Sequence, residues 1–409
     1  MLKAAPWLMI GVLIAPVLAG LFAIVPPAFG YLPALQHTEP GLAVWADLFN
    51  TPGIARSAML SLAAGLLTPL LSLMLVLLFL ASVSGTRWAH AMRRLVAPLL
   101  AVPHAAAAFG LAFLIAPSGF ALRLVSPELS GWQRPPDLLI LNDPLGLTMM
   151  LGLVLKEIPF LLLMALAALP QLNPDQRVAM ARTLGYRPIL AWLWTVAPAL
   201  YPLLRLPLFA VIAFASATVD VALILGPTLP PTLSVRIIGW FSDPDLNQRL
   251  LASAAALLQL IITLSAIGLW IAAEKVVGRL YRRLLLSGIR QTGHGLLDVA
   301  GKSLLVITLG SLLLSLLLLV VYAFAGPWRF PANLPDAWTT QHWQSVGPVL
   351  LTPLRNTLLL ALVSTLLAVV LVVAALEHES RQAQAPTRLL WAIYMPLLVP
   401  QVAFLYGLT

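Results

Sequence analysis

A run of 23 residues without a charged side chain, Ser303–Ala325, reads SLLVITLGSLLLSLLLLVVYAFA. A helix of that length is about 35 Å long, and the hydrocarbon core of a bilayer is about 30 Å thick. The run is apolar on every face of such a helix, which is typical of a membrane span and not of a soluble surface helix. It therefore predicts a transmembrane helix.

Eight further runs have a similar length and apolar character. The nine predicted spans are Leu8–Val25, Ser57–Val83, Val96–Ala116, Leu145–Leu169, Leu203–Leu225, Leu251–Ala273, Ser303–Ala325, Asn356–Leu376 and Leu389–Leu408. We expect the first to be a retained membrane helix and not a signal peptide, because eight spans follow it. The predicted fold class is an all-α polytopic membrane protein with about nine transmembrane helices.

The composition supports a membrane protein and excludes a soluble or disordered chain. Of the 409 residues, 60% are hydrophobic and only 10% are charged, whereas a soluble protein carries roughly a quarter charged residues. The mean hydropathy is +0.95. Cysteine is absent, so disulfides, thiolate metal sites and thiol catalysis are excluded.

The net charge of +9 is explained by membrane topology. With the N-terminus placed in the cytoplasm, 15 of the 24 Lys and Arg residues lie in cytoplasmic segments, and most acidic residues lie outside. Cytoplasmic loops of membrane proteins carry this excess of positive charge. We therefore predict a cytoplasmic N-terminus and no nucleic-acid partner.

An internal repeat with a period near 297 residues divides the chain. Pro98–Pro103 (PLLAVP) recurs as Pro396–Pro400 (PLLVP), and in each copy a glycine follows the last proline by seven residues, at Gly110 and Gly407. Six spans separate the copies, so both begin on the same side of the membrane, as in transporters built from parallel repeats. The repeat predicts a pathway between two halves.

The repeat also predicts how the chain is organised. Residues 1–290 form a first six-span permease unit with one cytoplasmic loop, and residues 291–409 form a second unit with about three spans. An offset of about 297 residues places a second such loop near residue 475, so we expect this chain to be a truncated form of a protein of about 510 residues.

The cytoplasmic segment 169–201 has the pattern of two short helices joined by a glycine. Asn173 is the predicted N-cap of a first helix, Asp175–Leu184, and Gly185 is its predicted left-handed C-cap. A second helix, Ile189–Val196, follows and is predicted to be stopped by Pro198. The apolar face is predicted from Val178, Ala181, Leu184, Ile189, Leu190 and Trp192. From these residues alone, an amphipathic connector at the membrane surface and a docking element remain equally open.

The same segment resembles the EAA loop of permease subunits in binding-protein-dependent ABC importers. That family's pattern is Glu-Ala-Ala, three residues, Gly, nine residues, then Ile-x-Leu-Pro, and Gly185 and Pro198 stand at its Gly and Pro positions. Ala181–Gly185 (ARTLG) follows the common form closely. Departures from the pattern are Ala179 for Glu, Met180 for the first Ala, Thr195 for Ile and Ala197 for Leu.

The resemblance implies that the loop docks into a groove of an ATPase subunit. The residues assigned to this ATPase-coupling loop are Ala179, Met180, Ala181, Arg182, Gly185 and Pro198. ATP is then hydrolysed by separate cytoplasmic ABC ATPase subunits, acting as a dimer, so the chain itself is not expected to be an enzyme. The further implied partners are a periplasmic solute-binding protein and the lipid bilayer, and the implied location is the bacterial inner membrane.

The resemblance extends over nearly the whole chain. Within the family, the chain looks like the fused permeases of the iron(III), thiamine and polyamine branch. The closer match lies in three stretches, Pro103–Ala105, Lys156–Glu157 and Val219–Leu233. In this family much of the solute selection rests with the binding protein, so the transported substrate is not predicted from this chain.

Several ionisable residues fall inside predicted spans, where charge is costly and usually faces the protein interior. Lys156, Glu157 and Asp220 are candidates for the translocation path. The alternatives are a packing network for Lys156 and Glu157, and a carboxylate of Asp220 paired with Lys156 or Arg205. For His104 we expect a hydrogen bond between helices rather than a ligand-binding role.

No cofactor or ATP site is expected. Gly301-Lys302-Ser303 resembles the end of a phosphate-binding loop, but position 296 is Leu where a Gly is required, and no strand precedes it. His-x-x-x-His and Cys patterns for metal are absent. The alternative functions are a proton- or ion-coupled secondary transporter that uses Asp220 or Glu157, and an intramembrane enzyme or assembly scaffold.

Overall fold

The computed structural model describes residues 5–83, 86, 88–288, 295–381 and 394–408. Within these residues the chain is helical and has no β-strand, and eight helices are long and apolar enough to cross a membrane. The eight are Ala5–Ala28, Ile54–Val83, His104–Leu124, Leu147–Leu172, Ala197–Ala217, Gln248–Leu286, Leu297–Phe324 and Gln341–Ser380. The predicted all-α polytopic class is confirmed. The ninth predicted span, Leu389–Leu408, lies partly outside the described residues.

The helices are numbered in chain order. They are α1 (Ala5–Ala28), α2 (Ala43–Asn50), α3 (Ile54–Val83), α4 (Trp88–Ala101), α5 (His104–Ile115), α6 (Phe120–Leu124), α7 (Leu147–Ala168), α8 (Pro174–Thr183), α9 (Pro188–Thr195), α10 (Ala197–Ala217), α11 (Asp220–Leu225), α12 (Leu233–Phe241), α13 (Gln248–Leu286), α14 (Leu296–Phe324), α15 (Gln341–Ser380) and α16 (Gln401–Leu405). The core lies where α3, α7, α10 and α13 pack together, around buried side chains such as Phe79, Ile158 and Leu204.

The predicted third span is interrupted. Val96–Ala116 was expected as one helix, but α4 ends at Ala101 and α5 begins at His104. Pro103 is extended, with φ −60° and ψ 146°. Proline has no N–H for the helix ladder and keeps the preceding residue out of the α region, so the helix ends before it.

The predicted fifth span, Leu203–Leu225, is interrupted as well. Helix α10 ends at Ala217, Thr218 is extended with ψ 140°, and α11 begins at Asp220. No proline causes this break. Instead, the Ser234 hydroxyl donates a 2.6 Å hydrogen bond to the Thr218 carbonyl, which satisfies in a buried site a carbonyl that the ladder no longer pairs.

The two halves of the repeat exchange their first spans. With the offset of 297 residues, α14 corresponds to α1, α15 to α3 and the start of α16 to the start of α5. Helix α14 packs against α3 and α5, and α1 packs against α15 and α16. The repeat glycines make both contacts, because Gly110 lies against the Ser315 backbone of α14 and Gly407 against Gly20 of α1.

A methyl group at Gly110 should weaken the first of these contacts. A Cβ there would lie 2.5 Å from the Ser315 carbonyl oxygen, so α5 and α14 would have to separate. We expect Gly110→Ala to lower the free energy of unfolding in detergent by about 1–3 kcal/mol, the usual effect of overpacking. Gly310→Ala on α14 is the control, because nothing lies within 4 Å of a Cβ at that position. Equal unfolding temperatures of the two variants in calorimetry would contradict the prediction.

Candidate functional site

A partly open cavity of about 630 Å³ lies where three helix breaks meet. Two of the breaks separate α4 from α5 and α10 from α11, and the third, at Val399–Pro400, precedes α16. The first residue after each break, namely His104, Asp220 and Gln401, lines the cavity. The polar lining residues are His104, Lys156, Glu157, Thr218, Asp220 and Gln401.

Lys156 is held at the end of α4. Its Nζ donates hydrogen bonds to the carbonyl oxygens of Leu99 (2.9 Å) and Leu100 (3.1 Å), and the residue is only 3% exposed. Because Pro103 has no N–H, the Leu99 carbonyl has no helical partner four residues on. The ammonium of Lys156 replaces that partner, and a cation is favourable at the carboxyl end of a helix.

Glu157, the next residue on α7, holds the other side of the same break. Its Oε1 lies 3.1 Å from Nε2 of His104, the first residue of α5. The His104 ring also packs at 4.5 Å between centroids against Phe214. The expected hydrogen bond between helices is therefore present at His104, and the same residue also borders the cavity.

Asp220 faces the cavity with one hydrogen-bond partner among the described residues. The Thr218 hydroxyl donates to its Oδ1 at 3.1 Å. The ion pairs considered for Asp220 in the sequence are wrong, because Lys156 binds the α4 carbonyls and Arg205 binds Glu274, with Nη2 and Oε2 2.9 Å apart. A buried Thr218 in extended backbone is what places its hydroxyl beside the carboxylate.

The structure brings the three predicted path residues, Lys156, Glu157 and Asp220, to one cavity. Sequence reasoning missed Gln401 and treated His104 as a packing residue only. The repeat carried the missing signal, because Gln401 follows Pro400 as His104 follows Pro103. Comparing the residues that follow Pro103 and Pro400, which the 297-residue offset matches, would have identified His104 and Gln401 as candidate cavity residues.

The segment 169–201 forms two helices, α8 and α9, as predicted. Gly185 has φ +90°, which L side chains rarely adopt, so the predicted left-handed C-cap is confirmed. The Tyr186 N–H bonds to the Ala181 carbonyl and the Gly185 N–H to the Arg182 carbonyl, the two bonds that close a glycine-terminated helix. Asn173 stands at the N-cap position, but the predicted side-chain cap is wrong, since it makes no capping bond.

Pro198 also differs from its expected place. It was expected to stop the second helix, but α9 already ends at Thr195, and Pro198 lies in the first turn of α10. Proline suits that position because the first N–H groups of a helix have no partner in any case. Helix α10 thus follows α9 with one residue between them and ends at the break before Asp220.

Two faces of the α8–α9 loop have different surroundings. Ala181, Leu190 and Trp192 are buried, whereas Met180 is 70% exposed and Leu184 60% exposed. Leu184 was predicted on the same apolar face as Ala181, Leu190 and Trp192, but it is exposed where those three are buried, so it does not share their face. The exposed residues of the loop that carry predicted coupling roles are Ala179, Met180, Arg182 and Gly185. We call Met180 and Leu184 the exposed apolar patch.

Broken spans around a mostly apolar cavity that carries a few polar side chains, with an exposed helical loop elsewhere, are typical of polytopic membrane proteins of the transporter class. Over 404 residues, 98% of this chain, the sequence is 27% identical to the inner membrane ABC transporter permease protein YnjC of Escherichia coli (strain K12), and the match covers 68% of that protein. No protein-family model matches the chain. The similarity supports the predicted class, an ABC transporter permease, and the eight long apolar helices fit a protein that crosses a membrane several times.

Proposed function

We propose that this chain forms the solute pathway of a binding-protein-dependent ABC importer and couples it to a dimer of separate cytoplasmic ATPase subunits through the α8–α9 loop. The observation that carries the proposal is the exposed apolar patch on that loop together with the direct run of α9 into α10. A periplasmic binding protein delivers the solute to the opposite end. Residues 1–290 form the first permease unit and residues 291–409 part of the second.

The distribution of charge supports one orientation of the chain in the membrane. The carboxyl end of α13 carries Lys275, Arg279, Arg282 and Arg283, all exposed. This end lies beside α9, since the Tyr281 hydroxyl donates a 2.6 Å hydrogen bond to the Trp194 carbonyl. Basic residues gather on the cytoplasmic side of membrane proteins. This supports a cytoplasmic α8–α9 loop and, counting spans back along the chain, a cytoplasmic N-terminus.

The loop is placed to pass a movement to the cavity. Helix α10 has 21 residues and is about 31 Å long, so it reaches from α9 to the break before Asp220. Its cytoplasmic half is tied to α13, because Tyr201 and Arg205 both bind Glu274. A displacement of α9 by an ATPase subunit would therefore move α10 and the cavity wall that it carries.

Capture of an ABC ATPase subunit in mild detergent tests the proposal. Replacing an exposed apolar contact by a charge should disrupt docking, so we expect Met180→Asp to weaken ATPase retention about tenfold or more. Leu129→Asp is the matched control, because Leu129 is 84% exposed in the loop at the other end of α7. Mass spectrometry identifies the captured subunit and its amount. If no ABC ATPase is captured, or both variants retain it equally, the proposed docking is refuted.

A further inference from the structure

We infer that one face of the carboxyl end of α13 binds anionic phospholipid headgroups of the cytoplasmic leaflet. The face is formed by Lys275, Arg279, Arg282 and Arg283, which we call the basic row, and all four are exposed. The inference rests on the proposed cytoplasmic placement of the α8–α9 loop, beside which this end of α13 lies. It adds a binding partner that the solute pathway does not require.

The four cations of the basic row share one face of the helix and do not surround it. Successive residues of an α-helix are about 100° apart, so these four positions fall within an arc of about 100°. The excess of positive charge in cytoplasmic segments concerns the number of basic residues and not their placement on one helix face. The arrangement therefore indicates an anionic partner on one side of α13.

The same face of α13 is exposed along the membrane span. The basic row continues, at spacings of three and four residues, a row of exposed positions formed by Ile261, Leu264, Gly268 and Ala272. Ala266 and Trp270 are buried and lie on the opposite side, in the core. An exposed apolar face within a membrane span contacts lipid. The basic row therefore points to the lipid and not to the centre of the molecule.

The basic row begins at the depth where headgroups are found. Residues 250–273 form a charge-free run, and its 24 residues make a helix about 36 Å long. The hydrocarbon core is about 30 Å thick, and headgroups extend the bilayer to about 40–45 Å, so Lys275 stands at headgroup level. Arg283 lies about 12 Å further along the axis, and long basic side chains reach back to the interface. Clusters of four or more basic residues at this level of a helix are typical of anionic lipid recognition.

The protein itself supplies no counter-ion to the basic row. Among the described residues, no carboxylate lies within 4 Å of its nitrogen atoms. The adjacent Glu274 is bound by Arg205 and Tyr201 on α10. Like charges four residues apart, as in Lys275 with Arg279 and Arg279 with Arg283, destabilise a helix. The helix dipole favours only the cation in the last turn, Arg283. Phosphate headgroups would neutralise the whole row.

The absence of cysteine allows a single fluorophore to test the inference in the full chain. A fluorophore on Leu286→Cys lies on the same face, one turn beyond Arg282, where Leu286 is 88% exposed. In nanodiscs, its quenching by spin-labelled phosphatidylglycerol and by spin-labelled phosphatidylcholine gives their relative association. We expect phosphatidylglycerol to be favoured about fivefold or more. Raising the salt concentration from about 0.05 M to about 0.5 M should reduce this preference, because exposed charges are screened.

Replacing the three arginines of the basic row by Gln should bring the ratio to about one, whereas replacing them by Lys should keep most of it, because the charge remains. A fluorophore on Leu246→Cys, just before the other end of α13, should be quenched equally by the two lipids. Equal quenching at position 286 of the otherwise unaltered chain, or a preference that survives the Gln replacements, would overturn the inference.

ATPase capture in the same preparations separates this inference from the proposed function. We expect the Gln replacements to leave ATPase retention unchanged in detergent. Loss of retention in that variant, together with equal quenching by the two lipids in the original chain, would assign the basic row to the ATPase subunit and refute the lipid site. Retention by the original chain shows that a failure of the lipid inference leaves the proposed coupling intact.

Discussion

Gly185→Pro should abolish ATP-driven solute uptake while the protein remains inserted in the membrane. Proline fixes φ near −65°, whereas Gly185 has φ +90°, and proline also removes the N–H that bonds to the Arg182 carbonyl. The two effects together cost about 3 kcal/mol, so the native turn would be populated about a hundredfold less. In proteoliposomes with the partner ATPase, we expect uptake and ATPase retention to fall together.

The control for this prediction keeps the turn and removes only the glycine. Asparagine enters the left-handed region more readily than other residues with a side chain, so Gly185→Asn should retain a substantial part of the uptake. Membrane fractionation should show equal insertion of both variants. Full uptake by Gly185→Pro would remove the α8–α9 loop from the coupling mechanism. Uptake that continues without ATP hydrolysis would favour the alternative of a secondary transporter.

Lys156→Met should be the most destabilising single change at the cavity. It leaves the carbonyl oxygens of Leu99 and Leu100 without their donor and leaves Glu157 beside them without a neighbouring positive charge. Removing one member of a buried charged group typically costs about 3–5 kcal/mol. We expect a loss of this size in the free energy of unfolding, measured by calorimetry in detergent, and a weakened junction between α4 and α5.

Lys302→Met is the matched control, because Lys302 forms an ion pair with Asp298 in which both side chains are more than 40% exposed. Exposed pairs contribute about 0–1 kcal/mol, so this variant should unfold close to the original protein. The double variant Lys156→Met with Glu157→Gln should recover part of the loss, because it removes the uncompensated carboxylate. If the two lysine variants unfold alike, Lys156 does not hold the end of α4.

These predictions assign different tasks to neighbouring parts of the molecule. Lys156 and Glu157 hold the two sides of one helix break and thereby present His104 to the cavity. Asp220, the first residue of α11 after the end of α10, lines the same cavity. In the proposed mechanism, closure of the ATPase dimer displaces α9, and α10 carries the displacement to the wall that contains Asp220.

Much of the candidate site could be located from the sequence because its residues are of types that rarely occur in their local sequence context. Lys156, Glu157 and Asp220 are charged within apolar runs, and this alone directs them to the protein interior. Gly185 was predicted as a left-handed cap because glycine after a helical run favours that conformation. The partners of the charged residues could not be predicted, since the contacts of Lys156 with Leu99 and of Glu157 with His104 join residues more than 50 positions apart.

The sequence by itself determined the all-α membrane fold, the repeat and the two helices of the α8–α9 loop, because apolar length, proline and glycine act through local physics. The tertiary structure alone decided that two predicted spans are broken at one cavity and that α1 and α14 are exchanged between the repeats. Such features depend on which helix supplies the missing partner of an unpaired backbone group. At the first break that partner is Lys156, and at the second it is Ser234.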